Sequence, residues 1–389
     1  MNSAYNPVSV YHLAVIKETR RWAKHSFITK EQITKISEEY KTPFYHPNLI
    51  IRILLFVATL FALSGLTGIL ALMFVPMNNQ LLIYIGCIVY GVGSFLVLEK
   101  MFIANNHFKS GVTEAILYHA CAFTTSGVAG LADFENTQLL LFTCLVVFSF
   151  AAFRYLDLVT TLAAIGSLAG ILFYNCFEAG GIFKQVIPFV FIFSFSALYF
   201  LVRKLKSKDG LRIWKNNLLV LEIICLLLIY ASGNYLVVRE LSVNLMDLVL
   251  KEGENIPFAF LFYLLTVIIP IGYLYFGIKN KDMALLRVSL ILLAFSVFTF
   301  KYYYSLGHTE IMLMLAGSIL IIAAIALMRY LKIMRDGFTG EDILSTKWAT
   351  LNMEAFVISQ TMGGNQAEGT KTTAGGGGSF GGGGSSESF

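Results

Sequence analysis

Ten apolar stretches, running from Leu49 to about Leu331, constrain this chain more than anything else in it. A bilayer core of roughly 30 Å takes about 20 helical residues to cross. The stretches are of that order, at residues 49–75, 81–99, 111–131, 138–153, 158–178, 184–202, 216–238, 257–277, 282–302 and 309–331. Inside hydrocarbon a helix satisfies its own backbone hydrogen bonds, so the expected fold is all-α, a polytopic transmembrane helix bundle of about ten spans. Composition agrees: 57% of residues are hydrophobic and 14% charged, against roughly 25% charged in a soluble domain. The 33 Phe and 19 Tyr suit lipid-facing and interfacial positions. They do not imply nucleic acid.

Four regions are expected: a helical head at 1–48, the membrane domain at 49–331, an amphipathic segment at 332–362 and a disordered glycine-rich tail at 363–389. Loop charge tests the span count. With the N-terminus in the cytosol, 24 Lys and Arg fall on the cytosolic side and 4 outside, namely Lys184, Arg239, Lys251 and Lys301, while Arg287 lies within the ninth span. That asymmetry is what the positive-inside rule asks of ten spans with both termini cytosolic. The separation between the fourth and fifth spans is the narrowest, resting on Arg154, Tyr155, Leu156 and Asp157. No cleavable signal is expected, because residues 1–48 lack an apolar core.

In the head, Val10 to Lys24 suits one helix. Thr29 and Gln32 have the spacing of a capping box that opens a second, with Ile33, Ile36 and Tyr40 on one face and Pro43 beyond its end. The order Trp22, then Phe27-Ile28-Thr29-Lys30-Glu31-Gln32 opening a short helix that ends near Tyr40, then a series of membrane helices, resembles the bacterial membrane proteins grouped as domain of unknown function 2157. The resemblance implies the bacterial cytoplasmic (inner) membrane. It carries no activity and no catalytic residues. The head is either a helical pair resting on the bundle or on anionic lipid, or a docking module for a partner.

After Arg335, the residues Leu344, Trp348, Leu351, Ala355 and Ile358 follow helical spacing and suit a helix on the membrane surface. Past Met362 the chain is low in complexity and ends GGGGSFGGGGSSESF. Such glycine content does not offset its own ordering entropy. The ending is similar to the tails of bacterial TPM-domain membrane proteins, although that domain itself is absent here. It serves either as a flexible spacer or as a tag whose Phe380 and Phe389 anchor in a protein partner.

Cys87, Cys121, Cys144, Cys176 and Cys225 include no CxxC pair, so neither a disulfide framework nor a metal site is expected, and no cofactor is implied. Among the ionisable groups in or near spans, Glu99 and Lys100 sit at a helix end, Arg154 and Asp157 are spaced to pair with each other, and Arg287 can snorkel. Glu114, Tyr118, His119 and Glu222 are harder to place. Glu114 and Tyr118 share a helix face; His119 lies about 12 Å and Glu222 about 9 Å into their spans at the usual helical rise. They form either a polar cluster that fixes helix order or a path for an ion or solute. Gly65-Leu66-Thr67-Gly68, Gly127-Val128-Ala129-Gly130 and Ser167-Leu168-Ala169-Gly170 recur near one level, for close helix packing or for loosened helices around a cavity. Residues 238–256 read as an amphipathic helix in the longest outer loop.

No nucleophile elbow, zinc-protease motif, phosphate loop or dinucleotide fingerprint is present, and the chain is not expected to be an enzyme. Two readings remain. One is a non-catalytic envelope or scaffold component that recruits partners through head and tail. The other is a secondary transporter or channel working through polar groups of the third and seventh helices.

Overall fold

The computed structural model describes residues 3–24, 27–74, 76, 78–245 and 254–303, together with 317, 318, 321, 322, 325 and 329. The expected segment 332–362 and the tail with Phe380 and Phe389 lie outside the described residues. Within them the protein is helical, with a single isolated bridge between Tyr45 and His107 and no strand.

The head forms α1 (Pro7–Lys24) and α2 (Lys30–Glu39). Proline at the first position of α1 suits a site where no helical N–H is needed. α2 opens on the expected capping box: Gln32 N–H donates to Thr29 Oγ1 at 3.3 Å, and Thr29 N–H donates to Gln32 Oε1 at 2.8 Å.

Then come α3 (Leu49–Phe74), α4 (Gln80–Val97, continued by a π-helical turn at Leu98–Ile103), α5 (Val112–Gly130), α6 (Thr137–Tyr155), α7 (Leu158–Ala179) and α8 (Ile182–Lys206). A 3₁₀ turn, Asp209–Trp214, leads to α9 (Lys215–Gly233), α10 (Tyr235–Asn244), α11 (Ala259–Lys279) and α12 (Met283–Tyr303). Helices thus occupy the first nine expected spans. Of the tenth, residues 317, 318, 321, 322, 325 and 329 are helical, and the others lie outside the described residues.

Eight of these helices are long and apolar enough to cross a membrane. Their outer faces carry Phe61, Leu72, Phe193 and Phe260, each more than three-quarters exposed. Apolar surface on that scale belongs in lipid, and the chain is accordingly an integral membrane protein. α3 buries no residue at all. α5 is the opposite case, too polar to count among the eight, with eleven of its nineteen residues buried. It lies antiparallel along α4: a methyl on Gly91 would touch Thr124, one on Gly127 would touch Ile88, and one on Gly130 would touch Tyr84. Enclosure by α3, α4 and α6 is why this helix tolerates Glu114, His119 and a run of hydroxyls.

Two breaks differ in how well the sequence marked them. Leu156 takes the left-handed conformation (φ 56°) and Asp157 caps α7, so the four-residue separation between the fourth and fifth spans is a true turn. The seventh span does not run to 238 as expected. It stops at Gly233, and Asn234 starts α10, accepting from Val237 N–H at 3.2 Å. The outer amphipathic helix therefore begins at Tyr235, three residues before its expected start, and ends at Asn244.

The head is fastened to one end of the bundle, called the head side below. Ala4 N–H donates to the Arg154 carbonyl at 2.8 Å, and Tyr5 is buried with Leu98, Phe108, Ile116 and Tyr155. Tyr45 exchanges backbone hydrogen bonds with the α4–α5 loop, donating to Asn106 at 2.9 Å and accepting from Phe108 at 3.2 Å.

Candidate functional site

The polar side chains of the head side are held by helix starts. Gly111 precedes α5 at φ 91°, where a Cβ would lie 2.1 Å from the Arg52 carbonyl oxygen. Only glycine permits both the conformation and the approach. That closeness lets Glu114, in the first turn of α5, take Arg52 of α3 on Oε1 and, on Oε2, Gly111 N–H at 2.8 Å and Thr113 Oγ1 at 2.9 Å. A carboxylate so placed is stabilised by the helix N-terminus and by its cation. Both of its oxygens are committed.

Tyr118 points to a different partner, donating to Asp157 Oδ1 at 3.2 Å, while Asp157 Oδ2 caps Thr160 N–H at 2.8 Å. Asn217 of α9 donates to the Asp157 carbonyl and to Thr161 Oγ1, each at 2.8 Å. These bonds join α5, α7 and α9. The expected pairing of Arg154 with Asp157 is not made. Arg154 binds Glu99, which the sequence placed at a helix end, through Nε to Oε1 at 2.9 Å and Nη2 to Oε2 at 3.0 Å, and Tyr155 Oη donates to Glu99 Oε1 at 3.1 Å. The turn at Leu156 separates Arg154 from Asp157, so their spacing of three no longer places them on one helical face.

His119 belongs to neither cluster. Its Nε2 lies 3.0 Å from Tyr90 Oη and 3.4 Å from Thr67 Oγ1, with Phe123 packed on the ring at 4.4 Å. A small cavity of about 110 Å³ beside Thr67, Tyr90 and Phe123 is otherwise apolar.

Glu222 is fully buried on α9, its Oε2 bonded to Lys206 of α8 and its Oε1 without a hydrogen-bond partner among the described residues. Asn217 Oδ1, five residues earlier, is likewise buried without a partner. The four residues singled out from the sequence thus divide into separate settings. Glu114 and Tyr118 lie on the head side with different partners, His119 faces α3 and α4, and Glu222 sits between α8 and α9.

A second network, on the opposite side, was missed from the sequence. Asn234, fully buried at the α9–α10 break, donates to Tyr230 Oη and Thr299 Oγ1 at 2.9 Å each. Tyr235 stacks on Tyr263 with centroids 4.0 Å apart and donates through Oη to Asn255 at 2.9 Å. The Arg239 guanidinium lies 4.7 Å over the Tyr303 ring, whose hydroxyl donates to Glu240 at 2.7 Å. The signal available was Gly233-Asn234 within an apolar span, a helix end followed by a cap residue.

Among the described residues no group of three or more His, Cys, Asp or Glu is placed to hold a metal ion, and all five cysteines are free. Comparison of the chain with protein-family models, with curated proteins and with solved structures finds no match.

Proposed function

We propose that this chain is a ten-span protein of the bacterial cytoplasmic membrane with a non-catalytic role, a scaffold that recruits partners on the cytosolic face through its head and its glycine-rich tail. One observation carries the reading: the carboxylates of the head-side layer are each held by fixed neighbours. Glu114 is taken by Arg52, Gly111 and Thr113, Glu99 by Arg154 and Tyr155, and Asp157 by Tyr118 and the start of α7. Groups anchored in this way are poorly suited to pass a travelling ion or proton along a path. His119, at mid-depth, is bonded to Tyr90 and Thr67 rather than to any of them.

The count of ten takes α5 as a crossing helix because it runs antiparallel along α4, and adds the apolar stretch at 309–331. An even count keeps both termini beside the basic loops. The head, fixed through Tyr5 and Tyr45, turns Tyr11, Trp22 and Phe27 outward, as a docking platform requires. The bacterial placement rests only on the order of Trp22 and Phe27 to Gln32 in the head.

Against this stands one observation that favours transport, the unbonded Oε1 of Glu222. Two experiments separate the readings. Deleting residues 363–389 should abolish partner co-purification and leave any ion flux in proteoliposomes untouched. Changing His119 and Glu222 to Gln should spare co-purification; flux in the native chain that these changes abolish would establish the transporter reading instead.

A further inference from the structure

A crevice of about 750 Å³ opens between α4 and α6, with Thr124 of α5 lining it from between them. Its walls are apolar, with Val92 and Phe95 on α4 and Val146 on α6, and its lining also includes Glu99 and Tyr155.

Depth places this crevice in one leaflet. Glu99 follows Gln80, the first residue of α4, by 19 positions, or about 28 Å at the helical rise. That is close to the roughly 30 Å of a hydrocarbon core, so Glu99 stands at the level of lipid headgroups. From there the crevice runs inward about 10 Å along α4, to Val92, and about 15 Å along α6, from Tyr155 to Leu145. One leaflet of hydrocarbon has about that depth.

The polar end has a definite chemistry. α4 widens there into the π-helical turn Leu98–Ile103, a distortion that recurs at functional positions and that carries Glu99. Glu99 Oε1 accepts from Arg154 Nε and Tyr155 Oη, whereas Oε2 accepts from Arg154 Nη2. Glu99 lines the crevice and Arg154 does not; no cation is among the lining side chains. A molecule in the crevice therefore meets a carboxylate oxygen with acceptor capacity to spare. Against that oxygen a terminal N–H-bearing cation would find a partner, which a quaternary ammonium, having no N–H, would not.

We propose that the α4–α6 crevice binds one acyl chain of a phospholipid with a primary ammonium headgroup, the ammonium donating to Glu99 Oε2. The role is that of a bound structural lipid, whatever else the protein does.

The full chain would be exchanged into mixed micelles of phosphatidylethanolamine, phosphatidylcholine and phosphatidylglycerol, and the lipid retained per protein read by native mass spectrometry. One phosphatidylethanolamine should remain, favoured about tenfold over phosphatidylcholine, which keeps the positive charge and lacks the N–H donor. Val146→Trp should abolish retention by filling the crevice. Its position is 52% exposed, so the added bulk does not enter the core, and thermal unfolding checks that the fold holds. Val159→Trp, on the exposed face of α7 and 53% exposed, should leave retention intact. Equal retention of the three lipids overturns the proposal, as does phosphatidylethanolamine binding that survives Val146→Trp.

Discussion

Arg154 and Glu99 meet across the boundary of α6 and α4 as a two-point pair, at 2.9 and 3.0 Å. Their side chains are 31% and 28% exposed, so solvent screens the pair only in part, and parallel two-point geometry is the strong form of this contact. Glu99→Gln and Arg154→Gln should each cost about 1–3 kcal/mol, because each strands a charge in a poorly hydrated position. The double variant should recover more than half of the summed loss. Unfolding in one detergent measures all three; losses that simply add would show that the two residues are not coupled.

Glycine positions give a sharper contrast. Gly111→Ala places a methyl against the Arg52 carbonyl at a positive φ and should cost about 2–4 kcal/mol. Gly127→Ala meets the Tyr84 carbonyl at 2.8 Å and the Ile88 nitrogen at 2.9 Å, for about 1–3 kcal/mol. Gly65 and Gly68 have nothing within 4 Å and lie inside α3, so alanine there should cost nothing and stabilise by up to about 1 kcal/mol. A loss at Gly65 as large as at Gly127 would mean that the outer face of α3 is covered in the purified particle.

These contrasts mark where the sequence was legible. The helices of the first nine apolar stretches were, because hydropathy is a property of each segment alone, and so was the capping box of Thr29 and Gln32, whose parts lie three residues apart. The partner of Arg154 was not: the nearer acid, Asp157, lies beyond the turn at Leu156, and Glu99 is 55 residues away. Glu114 and His119 were set in one polar group, the first by its helix face and the second by its depth. Five residues turn a helix by about 140° beyond one revolution, which sends His119 towards Tyr90 and Glu114 towards Arg52. The repeated glycines were read as one pattern, yet Gly127, Gly130 and Gly170 meet neighbours within 3.0 Å whereas Gly65 and Gly68 do not. Spacing alone does not say which face a neighbour occupies. Asn234 carries no charge and barely disturbs the hydropathy of its span.

Burial, helped by Glu114 and Asp157, pushes the phenol of Tyr5 above its ordinary range. The sign follows from linkage. A phenol that ionises later in the folded protein contributes stability in full below about pH 10, its unfolded value, and loses it as pH climbs towards the folded one. Hydrogen exchange in α1 should therefore quicken between about pH 10 and 11. Tyr5→Phe keeps the ring and removes the ionisation, so it should blunt that rise; an unchanged pH profile would place the cause elsewhere.

Asn234 should be the least replaceable residue of the α9–α10 break. It caps Val237 and donates to Tyr230 and Thr299, so Asn234→Ala removes a cap and two buried hydrogen bonds, while Thr299 keeps its bond to the Phe295 carbonyl, for about 2–4 kcal/mol. Asn234→Asp keeps the cap but places a charge in a fully buried site and should fare no better. Thermal unfolding of both variants tests this, and a stable Asn234→Asp would argue that water reaches the break.

Glu222 and Lys206 offer the test that separates structure from transport. A buried pair with one carboxylate oxygen unbonded is a poor source of stability, since desolvating two charges offsets much of their attraction. Glu222→Gln alone leaves the Lys206 ammonium, whose side chain is 26% exposed, without its counter-charge and should destabilise by about 1–3 kcal/mol. Replacing both residues by Met removes the charges together, and the protein should be as stable as the native chain or more so. If the pair only fastens α8 to α9, the double-Met protein keeps every partner interaction and its proteoliposomes show the native chain's permeability. If Glu222 holds a travelling cation or proton, the same protein folds and its flux disappears, which would remove the scaffold reading.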